Sequence, residues 1–529
     1  MWYHLRLGHR YLLTSTAPSP EEAAIIHDDV RTAKSKLSLL GAEIEQAVDI
    51  VNKLKCRRDE FSYYIAEHEA FLAPIRRLPA EVLSCIFSRY SDAAYSKEDN
   101  HWSSFQKHPF ILATVCRRWR AIVLSTPEIW SKFLVEFDSY NTERHAAITH
   151  AWLSRSGACL LSLRLKGYGY IYRSIPTRGR HPMLDAIIPY SDRIAALDLS
   201  VRAETLFVIT SNEGTFPALQ SIKIDITYSY GPDPPNAWRA LENAPALCRV
   251  YFYGLLHPET VKLPWIQLTV LFFGNRVRIR QWTCLDILQR CPNLESCVFL
   301  RIKATSQNPS VHAQVLHSTL QSLQVGTHSS LSTFFDCLTL PALRNIHVAY
   351  NSGCPQFVSF LARSLCHIKR FVIDMQLPPR YFIQIIQSMP HLAELDIRAY
   401  PSSTSFRKML QQITLAGNSG SDMCPRLHII LRLSNDPPLG SRDLMNMVNS
   451  RNRGTQPQNV ARIQSIHISL QKMTLDMLAD LKDIRSRGVE LFITDSKGTS
   501  YDSLLTMPLD VELPSRAKWD LFRAVTTGQ

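Results

Sequence analysis

Apolar residues fall into three successive patterns along this chain, each with its own period. In residues 21–73 they recur at Ile26, Val30, Leu37, Leu40, Ile44, Val48, Val51 and Leu54. Steps of mostly three, four and seven draw one apolar stripe along a long helix. Ser19-Pro20-Glu21-Glu22 supplies a cap, a first-turn proline and acids at the positive end of the helix. Gly41 inside it costs about 1 kcal/mol relative to alanine. The stripe fits either a coiled coil for dimerisation or a helix packed on its own neighbour, and imperfect heptads favour the second. Residues 1–20 carry Arg6 and Arg10 loosely as a transit peptide does, but lack the continuous apolar run of a secretory signal, so a disordered start is expected.

Residues 75–130 carry a second helical pattern. Pro79 sits where a first-turn proline costs nothing, and Val82, Leu83, Ile86 and Phe87 follow at helical spacing. A polar stretch over 91–108 predicts a surface loop. Phe110, Leu112, Val115, Cys116, Trp119, Ile122 and Val123 then predict one further helix, stopped at Ser125-Thr126-Pro127 because proline biases the residue before it away from helix.

The residues of this module resemble an F-box. Leu78-Pro79-Ala80-Glu81-Val82-Leu83-Ser84-Cys85-Ile86-Phe87 is similar to the opening of that motif. Val115-Cys116-Arg117-Arg118-Trp119-Arg120-Ala121-Ile122-Val123 is similar to its closing helix, and Thr126-Pro127-Glu128-Ile129-Trp130 to its usual tail. Together with the preceding long helix and Pro-Ile-Arg-Arg-Leu-Pro, the blocks are similar to the F-box proteins abundant in mushroom-forming fungi. The spacer between the blocks is longer than usual for the family. The resemblance implies a Skp-family adaptor as partner and, through it, a cullin-based ubiquitin ligase. Leu78, Pro79, Ile86, Phe87, Val115, Cys116 and Trp119 are the expected adaptor contacts, with internal packing expected of Val82 and Ile122.

A third pattern fills residues 155–510. Segments of the form Leu-x-x-Leu-x-Leu begin at Leu160, Ile194, Leu219, Leu247, Leu268, Leu294, Leu320, Leu343, Ile368, Leu392 and Ile463. Between 194 and 392 the steps are 25, 28, 21, 26, 26, 23, 25 and 24 residues, inside the 20–29 window of leucine-rich repeats. Six units, counting an irregular one at Leu427, carry proline two residues before the leading leucine, as in Cys291-Pro292-Asn293-Leu294. No unit can bury its apolar face alone, so stacking is required. The expected fold is α/β: a long N-terminal helix, a small all-α module, and a leucine-rich-repeat-like solenoid with a curved parallel sheet. The repeats lack the usual asparagine after the strand and are divergent. The interval 397–463 does not follow the regular spacing and carries two Ser/Gly/Asn-rich loops, Gly417 to Asp422 and Asn449 to Asn459, that read as insertions, while 511–529 reads as a tail.

Composition narrows the function by exclusion. The chain has 529 residues, 45% hydrophobic and 20% charged, too long for one core and ordinary for a globular protein. Its formal charge of +13 is spread without a basic run of five, and no nucleic-acid reading motif accompanies it, so a nucleic-acid partner is not expected. Twelve scattered cysteines without a Cys-x-x-Cys pair read as reduced core thiols of a cytoplasmic or nuclear protein. No apolar run reaches the length of about 18 residues that a membrane span needs. Phosphate-binding glycine loops, His-Glu-x-x-His and the Gly-x-Ser-x-Gly elbow are all missing. No catalytic residue, metal ligand or cofactor is therefore assigned, and the chain is read as a non-enzyme.

A binding surface is expected on the concave strand face. Side chains alternate along a strand, so residues between core positions point away from the core. Arg249, Tyr251, Tyr253, Phe272, His347, Arg370, Asp374, Asp396 and Arg398 occupy such positions, and tyrosine and arginine are favoured at binding hot spots. The expected function is a substrate receptor of an SCF-type ubiquitin ligase that presents an unidentified target protein. The alternatives are a repeat scaffold outside ubiquitin ligation and, on charge alone, a nucleic-acid binder.

Overall fold

The computed structural model describes residues 17, 19–96, 108–137, 142–167, 182–201, 206, 215–226, 239–254, 261–303, 314–327, 331–349, 354–374, 377–398, 403–414, 424–435, 441–452, 460–470 and 475–494. The expected disordered start (apart from its last residues), most of the 91–108 loop and the 511–529 tail lie outside them. The chain divides into two units, Met1–Cys85 and Ile86–Gln529.

The first unit is dominated by helix α1, Pro20–Leu72. Its start follows the sequence cue. Ser19 Oγ accepts from the Glu22 N–H and the Glu22 carboxylate accepts from the Ser19 N–H, a reciprocal capping box that satisfies two otherwise orphaned donors. The expected packing of this helix on its own neighbour is not found, since none of its residues is buried. A short 3-10 turn, Pro74–Arg77, follows, and then helix α2, Ala80–Ser96, within which the unit boundary falls. Helix α2 runs six residues into the stretch read as a loop.

In the second unit the single helix expected from Phe110 to Val123 is two: α3, His108–Val115, and α4, Arg117–Ser125. Cys116 breaks them. Its backbone is extended and its Sγ accepts the Trp119 N–H at 3.4 Å, so it acts as the N-cap of α4. Arg120 on α4 donates from Nε to the Ala113 carbonyl at 2.9 Å, satisfying an acceptor at the end of α3. Periodicity could not show this break, because a cysteine at an apolar position reads as core.

The solenoid begins earlier than residue 155. Its strands are β1 (Lys132–Phe137), β2 (Leu161–Gly167), β3 (Ile194–Val201), β4 (Ser221–Ile226), β5 (Arg249–Phe252), β6 (Val270–Phe273), β7 (Ile279–Arg280), β8 (Ser296–Phe299) and β9 (Ile302–Lys303). They continue as β10 (Val315–Leu316), β11 (Ser322–Gly326), β12 (Leu338–Thr339), β13 (Asn345–Ala349), β14 (Arg370–Ile373), β15 (Glu394–Ile397), β16 (Ile429–Asn435), β17 (Ser465–Leu470) and β18 (Glu490–Thr494). Fourteen form one sheet in order β1-β2-β3-β4-β5-β6-β8-β11-β13-β14-β15-β16-β17-β18, while β7 with β9 and β10 with β12 make two-stranded ladders. Every neighbouring pair in the large sheet is parallel. All eleven regular repeat starts lead directly into a strand of this sheet. Within the interval 397–463, helices Ser403–Ile413 and Ser441–Asn452 flank β16, which follows the irregular start at Leu427, while the expected insertion at Gly417 to Asp422 and most of that at Asn449 to Asn459 lie outside the described residues.

The proline signature has a local cause. In each Pro-x-Leu unit the residue before proline accepts from the leucine N–H, as from Cys291 to Leu294 at 3.1 Å, Met389 to Leu392 at 3.1 Å and Ala244 to Leu247 at 3.2 Å. Proline is thus second in a four-residue turn, where its fixed φ is already correct. The turn delivers a leucine with no exposed surface (Leu219, Leu247, Leu294, Leu343, Leu392, Leu427) into the core just before each strand. Identical positions then stack across strands. The rings of Phe252 and Phe273 lie 5.3 Å apart and those of Phe273 and Phe299 5.6 Å, both near parallel. On the other side, successive helices Ser332–Asp336, Cys354–Ser364, Pro379–Gln387, Ser403–Ile413, Ser441–Asn452 and Leu475–Ser486 pack on one another in chain order.

Two tryptophans tie α4 to the first repeat. Trp130 donates from Nε1 to the Val123 carbonyl at 2.8 Å, and Trp152, on helix α5 (Thr142–Arg155), donates to the Trp130 carbonyl at 2.9 Å. Phe110, Trp130 and Phe133 surround the Trp152 ring at 5.7, 5.0 and 4.5 Å. The closing part of the helical module and the first strand of the sheet therefore share one core.

Candidate partner-binding surfaces

Exposed apolar residues occur on the helical segments of each unit. Within α2, Val82 is 43% and Ile86 41% exposed, whereas Leu83 and Phe87 are buried. Val82 therefore does not pack internally as expected. Phe87 stacks on Trp119 at 4.6 Å. Pro79 is exposed and Leu78 half-buried. Of the residues on α3 and α4, Ile111, Val115 and Leu124 are 49%, 56% and 47% exposed, Cys116 is exposed as the cap, and Trp119 is half-buried. Ile122 is buried, as expected of an internal residue.

A candidate surface within the second unit is the sheet face opposite the buried rows. One register row crosses it from strand to strand: Arg164, Asp198, Lys223, Tyr251 and Phe272, then Val298, Gln324, His347, Val372 and Asp396. Tyr251 and Phe272 are thus direct neighbours. Tyr253, one pleat further on, packs against Phe272 at 4.8 Å, and Lys223 Nζ stands 4.9 Å from the Tyr253 ring, a cation–π contact. Lys223 also faces Asp198 at 3.6 Å, and Arg164 meets the same carboxylate at 3.2 Å.

Tyr95, near the end of α2, closes this group. Arg164 donates to the Tyr95 carbonyl at 3.2 Å and its guanidinium lies 4.7 Å from the Tyr95 ring. A cavity of about 240 Å³ results, lined chiefly by Tyr95, Asp198, Ser221, Lys223, Tyr251 and Tyr253. Burial pushes the Tyr95 hydroxyl up to about 12, with Arg164 opposing and Asp198 adding to the shift, so it stays a proton donor at neutral pH. Burial likewise raises Asp225, against the pull of Arg276 at 3.9 Å and of Lys223.

The remaining expected residues separate from this patch. Phe272 and His347 are three strand spacings apart, about 14 Å at the usual spacing of about 4.8 Å. Around His347 a polar group forms, in which Arg398 donates from Nε to Asp396 at 2.9 Å and Arg370 faces Glu394 at 3.6 Å. Asp396 is only 2% exposed, so it orients Arg398 rather than meeting a partner. Burial first, then the Arg398 charge, pushes the His347 imidazole below its ordinary value, with Asp374 and Asp396 opposing. Arg249 is exposed on another row, beside Ser221 and Val270, outside the aromatic patch.

Sequence reasoning missed Tyr95, Arg164, Asp198 and Lys223. The last three were legible, since a charged residue between two buried ones, as in Leu197-Asp198-Leu199, marks the open face. Tyr95 was not, because it lay inside a stretch read as loop.

All twelve cysteines are free, and seven are buried. Burial raises the thiols of Cys284 and Cys297 well above the ordinary value, which makes them unreactive core residues. Among the described residues no group of three or more His, Cys, Asp or Glu side chains could hold a metal ion, and no helix is long and apolar enough to cross a membrane.

Among solved structures the chain is similar to the leucine-rich repeat-containing protein LegL7 from Legionella pneumophila. The identity is 9% and the TM-score 0.28, over 75% of this chain and 98% of that one. No family model and no curated protein matches the chain.

Proposed function

We propose that this chain is a non-catalytic receptor in which the F-box-like helices dock a Skp-family adaptor and the open face of the repeat sheet holds a target protein. Delivery to a cullin-based ubiquitin ligase follows from the adaptor. The chain contributes position: a target held on the sheet meets the ligase's activated ubiquitin at high effective concentration, and no side chain of this protein reacts.

The observation that carries the reading is apolar exposure on the segments that resemble the F-box. Val115, in the closing block, is 56% exposed, and Ile86, in the opening block, 41%, whereas the leading leucines of the six Pro-x-Leu units have no exposed surface. Large apolar side chains left in water on short helices are what an obligate partner covers. The aromatic patch of Tyr251, Tyr253 and Phe272 supports target binding on the sheet.

The test is a pull-down of the full chain with a Skp-family adaptor. Wild type is expected to bind, and Leu78→Ala/Pro79→Ala and Val115→Glu to lose binding while retaining the wild-type circular dichroism spectrum. A well-folded wild type that does not bind overturns the ubiquitin-ligase reading and leaves a protein-binding repeat scaffold.

A further inference from the structure

Helix α1 contains 53 residues without a buried one, ~80 Å of helix at a rise of about 1.5 Å per residue. An isolated helix has little stability of its own in water and draws it from packing of an apolar face. Among the described residues no such packing is found: Val30, Leu37, Leu40, Ile44, Val51 and Leu54 are between 44% and 71% exposed.

The full extent of the helix shows a frame that its first half conceals. Counting from Val30, heptad a positions recur every seven residues from Ala23 to Leu72, and d positions from Ile26 to His68. Thirteen of these fifteen seam positions are apolar, Arg58 and His68 being the exceptions. Seven heptads exceed the three to four that a sustained coiled coil requires. We propose that α1 pairs with α1 of a second copy of this chain as a parallel, in-register two-stranded coiled coil.

Residue type selects two strands. β-branched side chains stand at a (Val30, Ile44, Val51, Ile65) and leucine at d (Leu40, Leu54), the combination that favours parallel dimers. Charge selects the direction. In parallel register Asp29 at g meets Lys34 at e of the other helix, and no like-charged g–e pair arises. Fully overlapped antiparallel helices would instead set Lys34 against Lys55 and Lys36 against Arg57. Arg58 fixes the register, since a slip of one heptad would bury two arginines in apolar layers, whereas in register both share one layer and extend their heads to water. Each dimer then carries two open sheet faces, so a target with two sites is held by avidity.

The experiment is sedimentation of the full-length chain at micromolar concentration with oxidative crosslinking. Wild type is expected at twice the chain mass, and Leu40→Lys/Leu54→Lys at half that value, with the thermal transition of the repeat sheet unchanged. Leu40→Cys is expected to form a reducible dimer, because position 40 meets itself only in the parallel register, while wild type, with Cys56 on the outer f position, gives none. A monomeric or higher-order wild type overturns the proposal. So does a dimer that the single Leu40→Cys substitution fails to link but a Leu40→Cys/Val51→Cys pair links, which would mean antiparallel helices.

Discussion

Trp152 is where the helical module and the repeats share one core, and its removal tests that junction. Its ring is 1% exposed and meets three aromatic neighbours, and its Nε1–H satisfies the Trp130 carbonyl. Trp152→Ala loses both, with a cavity between α5 and β1, and should cost ~3–5 kcal/mol, as large-to-small aromatic changes do. Trp152→Phe keeps a ring in contact with Phe133 and Trp130 but leaves the buried carbonyl without its donor, a loss of ~1–3 kcal/mol. Urea unfolding of the full chain, followed by far-ultraviolet circular dichroism, measures both. The order wild type, phenylalanine, alanine is the expected ranking of midpoints. Trp130 also holds the Val123 carbonyl, so the alanine variant should weaken adaptor binding through loosened α4 even though Trp152 is itself buried. A cost below ~1 kcal/mol for alanine, against the several expected of such a site, would refute the shared core. Equal costs for the two variants would refute the role given to the hydrogen bond.

Acidification should destabilise the second unit. Burial lowers His317 and His347 below the ordinary 6.5, opposed at His317 by its hydrogen bond to the Cys291 carbonyl and reinforced at His347 by Arg398. Each holds a proton less readily when folded, so its contribution is complete above about pH 6.5 and declines as pH falls below that value, where the unfolded chain takes up more protons than the folded one. Urea midpoints at about pH 7.5 and 5.5 should therefore differ, and the difference should shrink in His317→Gln/His347→Gln; an undiminished difference in that variant would locate the effect elsewhere. Tyr251→Ala/Tyr253→Ala should leave the unfolding midpoint within about 1 kcal/mol of wild type and weaken target binding by at least about 30-fold, the effect of a hot spot worth about 2 kcal/mol. A large fall in stability would instead make both tyrosines structural.

Much of the sheet was legible because a repeat reports itself twice. The period near 25 residues gives the architecture, and the Pro-x-Leu turn marks where six of the strands begin. The strands β1 and β18 escaped because end repeats lose one neighbour and with it the constraint on their sequence. The helical break at Cys116 escaped for a different reason: a side chain that caps a helix through sulfur has the same hydropathy as one that fills a core. Of the expected open-face residues, Tyr251, Tyr253 and Phe272 do gather, because adjacent strands in register bring equivalent positions to about 4.8 Å.

Period and polarity, both properties of the chain read locally, determined the long helix, the parallel repeat sheet and which residues alternate onto its open face. Tertiary structure decided the rest. It buried Asp396 and Phe87, left Val82 in water, brought Tyr95 from the end of α2 to Arg164 on β2, and left α1 without a single buried residue. Those outcomes depend on contacts between residues as far as 69 positions apart, and no local pattern carries the geometry of such a contact.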